Sequence, residues 1–283
     1  MLGAHMSIAG GIPRAVDRAL EIGARAIQIF VKNNNRWLGR QLFDDEVQQF
    51  RSRVREERLT ATVAHASYLI NLASPDPHLW EKSIAALIEE LERCERLGLS
   101  HLVIHPGSHV GAGIDAGSHR IIRAINRIHS DTRGQDVRLA LETTAGQGTQ
   151  IGCTFPQLAR IFHQVKEPAR LAVCLDTCHV FAAGYEIRSA AAYRQTMEEF
   201  DETIGLPQLQ VIHFNDSKRP LGSRVDRHEN IGAGEIGAQA FRHFLLDQRL
   251  LQVPKILETP KEPEGTGDIR NLAVLRSLCS PEN

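Results

Sequence analysis

Residues Leu171-Ala172-Val173-Cys174-Leu175-Asp176 form an unbroken apolar run that stops at a carboxylate, with Thr177-Cys178-His179 directly behind it. A strand that is apolar on both faces suits a parallel sheet covered by helices, whereas a strand with one wet face alternates. The same grammar recurs along the chain, at Leu2-Gly3-Ala4, 26–30, 61–64, Leu102-Val103-Ile104, 138–141, Gln210-Val211-Ile212 and Lys255-Ile256-Leu257. That makes eight predicted strands. Between them lie segments with helical spacing, among them 13–22, 44–58, 78–97 closed by Gly98, 117–129, 189–204 and 235–248. Eight such βα units in 283 residues, at intervals of roughly 35, fit a closed (β/α)8 barrel better than an open sheet. No Pro/Gly/Ser linker or charge run divides the chain. The expected organisation is therefore α/β, a single TIM-barrel catalytic domain over residues 1–283 with its site at the C-terminal mouth.

Composition narrows the class of function. With 42% hydrophobic and 24% charged residues the chain can bury a large core, which excludes disordered and fibrous proteins. No apolar stretch approaches the length of about eighteen residues that a membrane span requires. Met1-Leu2-Gly3-Ala4-His5 also lacks the basic-then-apolar pattern of a leader. Five widely spread cysteines are odd in number and too few to staple a chain of this size, so a reducing cytoplasm without membrane attachment is expected. Net charge is -1, so any nucleic-acid site must be a local patch. Without coiled-coil heptads, monomer is the default expectation.

The residues that follow the apolar runs are His5, Lys32-Asn33, His65, His105, Glu142, Asp176, His213 and Glu258. Seven of the eight are His, Glu or Asp, and in a barrel these positions converge at the C-terminal mouth. A lone histidine after a strand is more often a hydrogen-bonded loop residue than a ligand. A whole ring of buried imidazoles and carboxylates is costly without metal or ion pairing, and such groups suit zinc or a similar first-row metal. A polynuclear site is expected. Asp176-Thr177-Cys178-His179 and Asp226-Arg227-His228 add further donors, since residues two apart in an extended segment face one side. Of the thiols near this ring, Cys174 reads as a packed core residue and Cys178 is open between core and ligand.

Several motifs, in order from the first strand to the last, closely resemble the endonuclease IV family of apurinic/apyrimidinic endonucleases. They are Gly3-Ala4-His5-Met6-Ser7, 65–72 (HASYLINL), 105–109 (HPGSH), 141–148 (LETTAGQG), 175–179 (LDTCH), 213–218 (HFNDSK), Asp226-Arg227-His228 and Leu257-Glu258-Thr259-Pro260. The resemblance implies three zinc ions per chain, with manganese possible in some sites. By the same resemblance, His65, His105 and Glu142 would hold the first ion, with Glu142 bridging to a second held also by Asp176, His213 and Glu258. His179, Asp226 and His228 would hold the third. The implied substrate is double-stranded DNA containing abasic sites. Water activated at the cluster would cleave the phosphodiester 5′ of the lesion, leaving a 3′-hydroxyl and a 5′-deoxyribose phosphate, with Glu142 as the catalytic residue.

Tyr68 matches the family residue that enters the DNA near the lesion, and 32–37 (KNNNRW) matches the segment that inserts polar side chains into the base stack. In this loop the chain departs from the family's best-known form, in which an arginine stands at Asn35 and a glutamine at Arg36. Asn35 and Arg36 are expected DNA contacts with the basic side chain displaced by one position. Lys32, Lys218, Arg219, Arg224 and Arg227 are expected to reach phosphates or else to be solvated loop charges. Two other functions compete. A sugar isomerase or epimerase on the same barrel superfamily also gathers Glu, Asp and His around a divalent metal. Neither His179, Asp226 and His228 nor the polar loop has a use there. A DNA-lesion binder without chemistry has no reason to keep nine ligands.

Overall fold

The computed structural model describes residues 1–279. Eight parallel strands close a barrel in chain order. They are β1 (Leu2–Met6), β2 (Ala26–Phe30), β3 (Ala61–His65), β4 (His101–Ile104), β5 (Arg138–Glu142), β6 (Leu171–Asp176), β7 (Leu209–Phe214) and β8 (Lys255–Leu257). Nine helices lie among the described residues: α1 (Arg14–Glu21), α2 (Asp44–Glu56), α3 (Pro77–Leu97), α4 (Ile114–Asp131), α5 (Phe155–Gln164), α6 (Thr177–Ala183), α7 (Ala190–Thr203), α8 (Ala238–Leu246) and α9 (Thr266–Leu278). None of them is long and apolar enough to cross a membrane.

The strands bury both faces. Outward residues such as Ile27, Ala64, Leu102, Leu139 and Ile212 join the layer shared with the helices. Inward residues Ala26, Val63, Val103, Ala140, Ala172, Cys174, Val211 and Ile256 form a separate plug inside the barrel. Successive strand residues face opposite sides. Two steps along from the plug, the next inward side chains are therefore Gln28, His65, His105, Glu142, Asp176, His213 and Glu258, with His5 in the same layer two steps beyond Gly3. Gly3 has no side chain for a steric reason: a Cβ there would sit 1.8 Å from the Ala26 carbonyl oxygen. A register shift at Val173/Cys174 in the β6–β7 pairing brings Asp176 level with His213.

Three helices escape the periodicity reading. In α6 nearly every residue is buried, so no polar face marks it. The inward face of α9 includes Asp268 and Asn271, which blurs its apolar stripe. α5 begins Phe155-Pro156, and a proline in the first turn looks like a breaker when it is in fact compatible with helix initiation. By contrast α3 is delimited as its sequence suggests. The Asp76 carboxylate accepts from the His78 and Leu79 amides, and Gly98 closes the helix at φ 71°.

Away from the mouth, two histidines couple the fold to pH. His129 at the end of α4 is pushed down to about 4 by burial and by the Arg170 guanidinium. His101 at the start of β4 is pushed down to about 4 by burial and by Arg138. In the unfolded chain both titrate at about 6.5. As pH falls below that value the unfolded chain takes up protons first, so stability is full above about pH 6.5 and is lost progressively toward pH 4. Each histidine accounts for up to about 3 kcal/mol of that loss. Urea titrations from pH 7.5 to 4 should show a shallower decline for His129→Gln than for the wild type. Parallel profiles would sink this account.

Candidate metal centre

All nine residues singled out as ligands meet at the C-terminal mouth. Glu142, at the end of β5, is fully buried and lies among four imidazoles. Its Oε2 is 3.1 Å from His65 Nε2 and 3.1 Å from His105 Nε2. Its Oε1 is 2.9 Å from His213 Nδ1 and 3.4 Å from His179 Nδ1. His213 Nδ1 also faces Glu258 Oε2 at 3.1 Å and Asp176 Oδ2 at 3.8 Å. On the outer side Asp226 reaches His179 Nε2 at 3.2 Å and His228 Nε2 at 3.3 Å.

Local structure delivers each group. The Asp176 carboxylate accepts from the His179 amide at 2.9 Å and so caps α6, which sets His179 one turn beyond it. Asp226 and His228 come from the loop after β7. That loop is folded back by an antiparallel pairing of Ser217 with His228 and by the buried Asp216 carboxylate, which accepts from the Gly232, Gly234, Ile236 and Gly237 amides.

Donor atoms lie within 4.8 Å of one another in a set of His65, His105 and Glu142, in a second of Glu142, Asp176, His213 and Glu258, and in a third of His179, Asp226 and His228, while Cys174 also groups with Glu142 and His213, and Cys178 with Asp176 and His228. Two ligands on a tetrahedral ion with bonds of about 2.0–2.1 Å stand about 3.3 Å apart, close to the distances here. The tautomers point the same way. His65 Nδ1 donates to the Ala66 carbonyl at 2.8 Å, His179 Nδ1 to Thr143 at 2.8 Å and His228 Nδ1 to Glu258 at 3.1 Å. His213 Nε2 donates to Gln28 Oε1 at 2.8 Å. Each ring then turns a lone pair toward carboxylate oxygens that also carry only lone pairs, an arrangement that requires a cation or a proton between them. The residues therefore fit divalent metal.

The electrostatics express the same demand. Burial pushes Glu142 and Glu258 up, yet His105 and His213 beside the first and His213 and His5 beside the second hold both well below the usual carboxylate range. Asp226 is likewise drawn down to about 2: the bond and charge of His179 outweigh its burial. Burial opposes charge on His179 and His213, but Asp176, Asp226 and Glu142 around the first, and Cys174, Glu258 and Glu142 around the second, hold both well above their ordinary value.

Gln28 is the functional residue that the sequence reading missed. Buried in the middle of β2, it bonds His213 through Oε1, and its Nε2 donates to Glu258 Oε1 at 2.5 Å and lies 3.0 Å from His5 Nδ1. The available signal was a lone polar residue inside Ala26-Ile27-Gln28-Ile29-Phe30, in phase with the plug. Reading the residue after the run selected Lys32-Asn33 instead. A ligand-orienting partner of this kind is worth about 10–100-fold in metal affinity, so Gln28→Ala should weaken metal retention by about tenfold. Competition against a chelator measures it, and wild-type retention would exclude the role.

The expected DNA contacts divide. Tyr68 is 62% exposed and stands over the site, with its ring 5.4 Å from that of His65. Asn35 and Arg36 are exposed in loop 31–40, and Arg36 lines a groove of about 1720 Å³ with His5, Arg14 and Lys261, which Asn35 does not line. A smaller cavity of about 410 Å³ holds His65, His105, His179, Asp226 and His228. Lys218, Arg219 and Arg227 are exposed. Lys32 is not available to phosphate, a correction to the expectation. Its ammonium is buried against Glu90 Oε1 at 2.9 Å, because α3 closes over the base of the loop. Trp37 packs on the core under Lys82, whose Nζ is 4.4 Å from the ring centre. Cys174 belongs to the barrel plug, as expected, and also lies near Glu142 and His213. Cys178 is buried beside Asp176 and His228.

The family model for xylose isomerase-like TIM barrels matches residues 16–278. Probable endonuclease 4 of Geotalea daltonii is 48% identical over 277 residues, covering 98% of this chain and 97% of the relative. Probable endonuclease 4 of Chloroflexus aurantiacus is 46% identical over 276 residues, covering 98% and 97%. Endonuclease IV from Thermus thermophilus superposes with a TM-score of 0.85 at 38% identity, covering 98% of each chain. A D-tagatose 3-epimerase-like protein superposes at 0.73 with 16% identity and shares the fold alone. Sequence, architecture and the convergence of nine donor side chains agree, and the chain belongs to the endonuclease IV family of xylose isomerase-like TIM barrels.

Proposed function

We propose that the chain is a DNA repair endonuclease that hydrolyses the phosphodiester 5′ of abasic sites, leaving a 3′-hydroxyl and a 5′-deoxyribose phosphate, with three zinc ions as cofactor. The observation that carries this reading is the third donor set, His179, Asp226 and His228, at 3.2–3.4 Å from one another and sharing the mouth with two others. A sugar isomerase has no use for it.

His65 and His105 would hold the first ion, Asp176, His213 and Glu258 the second, and Glu142 would bridge them through its two oxygens. His179, Asp226 and His228 would hold the third. When bound, the ions would lower the pKa of water and neutralise charge on attacking and leaving oxygens of the phosphate. With three divalent ions held there, the four carboxylates Glu142, Asp176, Asp226 and Glu258 would leave a net excess of positive charge that favours a phosphodiester. Gln28 and the carbonyls of Ala66, Thr143 and Glu258 keep the histidine rings oriented throughout, since those bonds lie on the side away from the site. At the rim, the Tyr68 ring above His65 and His105 narrows the entrance. An abasic sugar unstacks at lower cost than an intact nucleotide and passes where a base-bearing one does not.

The test is incision of a duplex carrying one abasic analogue, with metal stoichiometry measured on the same preparation. Expected are about three ions per chain, a single cut 5′ of the lesion, and an intact control duplex left whole. One or two ions, no incision and epimerisation of a ketose would replace this reading with the sugar-isomerase one. Loss of lesion affinity in Arg36→Ala would support the displaced basic side chain as a DNA contact, and unaltered affinity would remove it.

A further inference from the structure

Loop 31–40 is held at both ends by α3. Arg93 Nε donates to the Val31 carbonyl at 2.8 Å, and Arg93 Nη1 donates to that of Arg40 at 2.8 Å. Glu89 Oε1 accepts from the Gly39 amide at 3.0 Å. Between these anchors Lys32 Nζ, buried against Glu90, donates to the Arg36 carbonyl at 2.7 Å. The same Glu90 carboxylate accepts from the Ser67 amide at 3.2 Å, and Ser67 Oγ donates to the Asn34 carbonyl at 2.6 Å. Ser67 immediately precedes Tyr68. Between the outer anchors set by Arg93 and Glu89, the loop that carries Asn35 and Arg36 and the turn that carries Tyr68 are therefore tied to one shared ion pair.

A buried ion pair adds little to stability, because desolvating both charges offsets most of the attraction. Here both partners direct their remaining hydrogen-bonding capacity to the backbone of these two segments, so what the pair secures is geometry. We propose that Lys32 and Glu90 are positioning residues that lock loop 33–37 and the Tyr68 turn into one preorganised unit before DNA arrives. Damaged duplex is then bound without the cost of ordering either segment. This inference rests on the reading of both segments as DNA-facing.

The variants are Lys32→Met, Glu90→Gln and Ser67→Ala, and the readouts are steady-state kinetics on an abasic duplex, metal content and amide hydrogen exchange. Lys32→Met and Glu90→Gln should raise KM about tenfold or more while kcat changes less than about threefold, as expected when ordering cost moves into binding. Exchange should speed up in 33–40 and 67–71 together, with all ions retained. Ser67→Ala, which spares the ion pair, should loosen 33–36 alone. If a single variant does not fold, the neutral pair Lys32→Met with Glu90→Leu replaces it. Unchanged exchange in both segments overturns the proposal. So does faster exchange at unchanged KM when Tyr68→Ala and Arg36→Ala do raise KM. If those two leave KM unchanged as well, it is the DNA-facing reading that fails.

Discussion

Glu142→Gln is expected to reduce incision of an abasic duplex by at least about a thousandfold, the loss of roughly 4 kcal/mol of transition-state stabilisation. Among the described residues no other side chain meets four imidazoles: Glu142 lies 3.1 Å from His65 and His105, 2.9 Å from His213 and 3.4 Å from His179. The substitution preserves shape and removes one negative charge together with one acceptor oxygen, so it acts on two donor sets at once. Metal content should fall below that of the wild type. The far-ultraviolet circular dichroism should not change, because the plug beneath Glu142 is apolar and stays packed. Elemental analysis and single-turnover incision on the same preparation measure both effects. Wild-type rates with full metal content would remove Glu142 from the reaction.

Stripping the ions should act more strongly still, on activity and stability alike. Glu142, Asp176 and His213 are fully buried, and Glu258 is nearly so, which leaves several charges with no solvent to screen them. An ion held at a thousand times its dissociation constant stabilises the fold by about 4 kcal/mol, and three such ions by about 12. At about 2–4 °C per kcal/mol this amounts to a fall in Tm of more than about 20 °C. Incision should vanish in parallel and return with zinc or manganese. Scanning calorimetry before and after prolonged chelation tests it. A Tm unmoved by complete metal removal would show that the charges are balanced by protons instead.

Much of the metal centre was legible because it is written in register. Val63 and His65, Val103 and His105, Ala140 and Glu142, Cys174 and Asp176, Val211 and His213, and Ile256 and Glu258 are inward pairs two residues apart. Each of these six strands carries its own plug residue and its own donor, and this relation needs no tertiary information. Reading the residue after each run succeeded wherever the run ended at the donor. It failed in β2, where apolar residues continue to Val31 and Gln28 lies inside the run.

The sequence by itself determined the barrel, the strand-borne donors and the charge type at the mouth, since alternation along a strand is local. It left the roles of Lys32, Gln28 and Asp226 to long-range contacts. Lys32 looks like a phosphate ligand until α3 lays Glu90 over it. Asp226 becomes part of a donor set only when the loop after β7 folds back and sets it 3.2 Å from His179. Whether a polar side chain ends in solvent, in an ion pair or in a donor set depends on which distant segment covers it. Packing of the closed barrel makes that decision, because burying a charge or an amide without a partner costs a large fraction of the net stability of a fold.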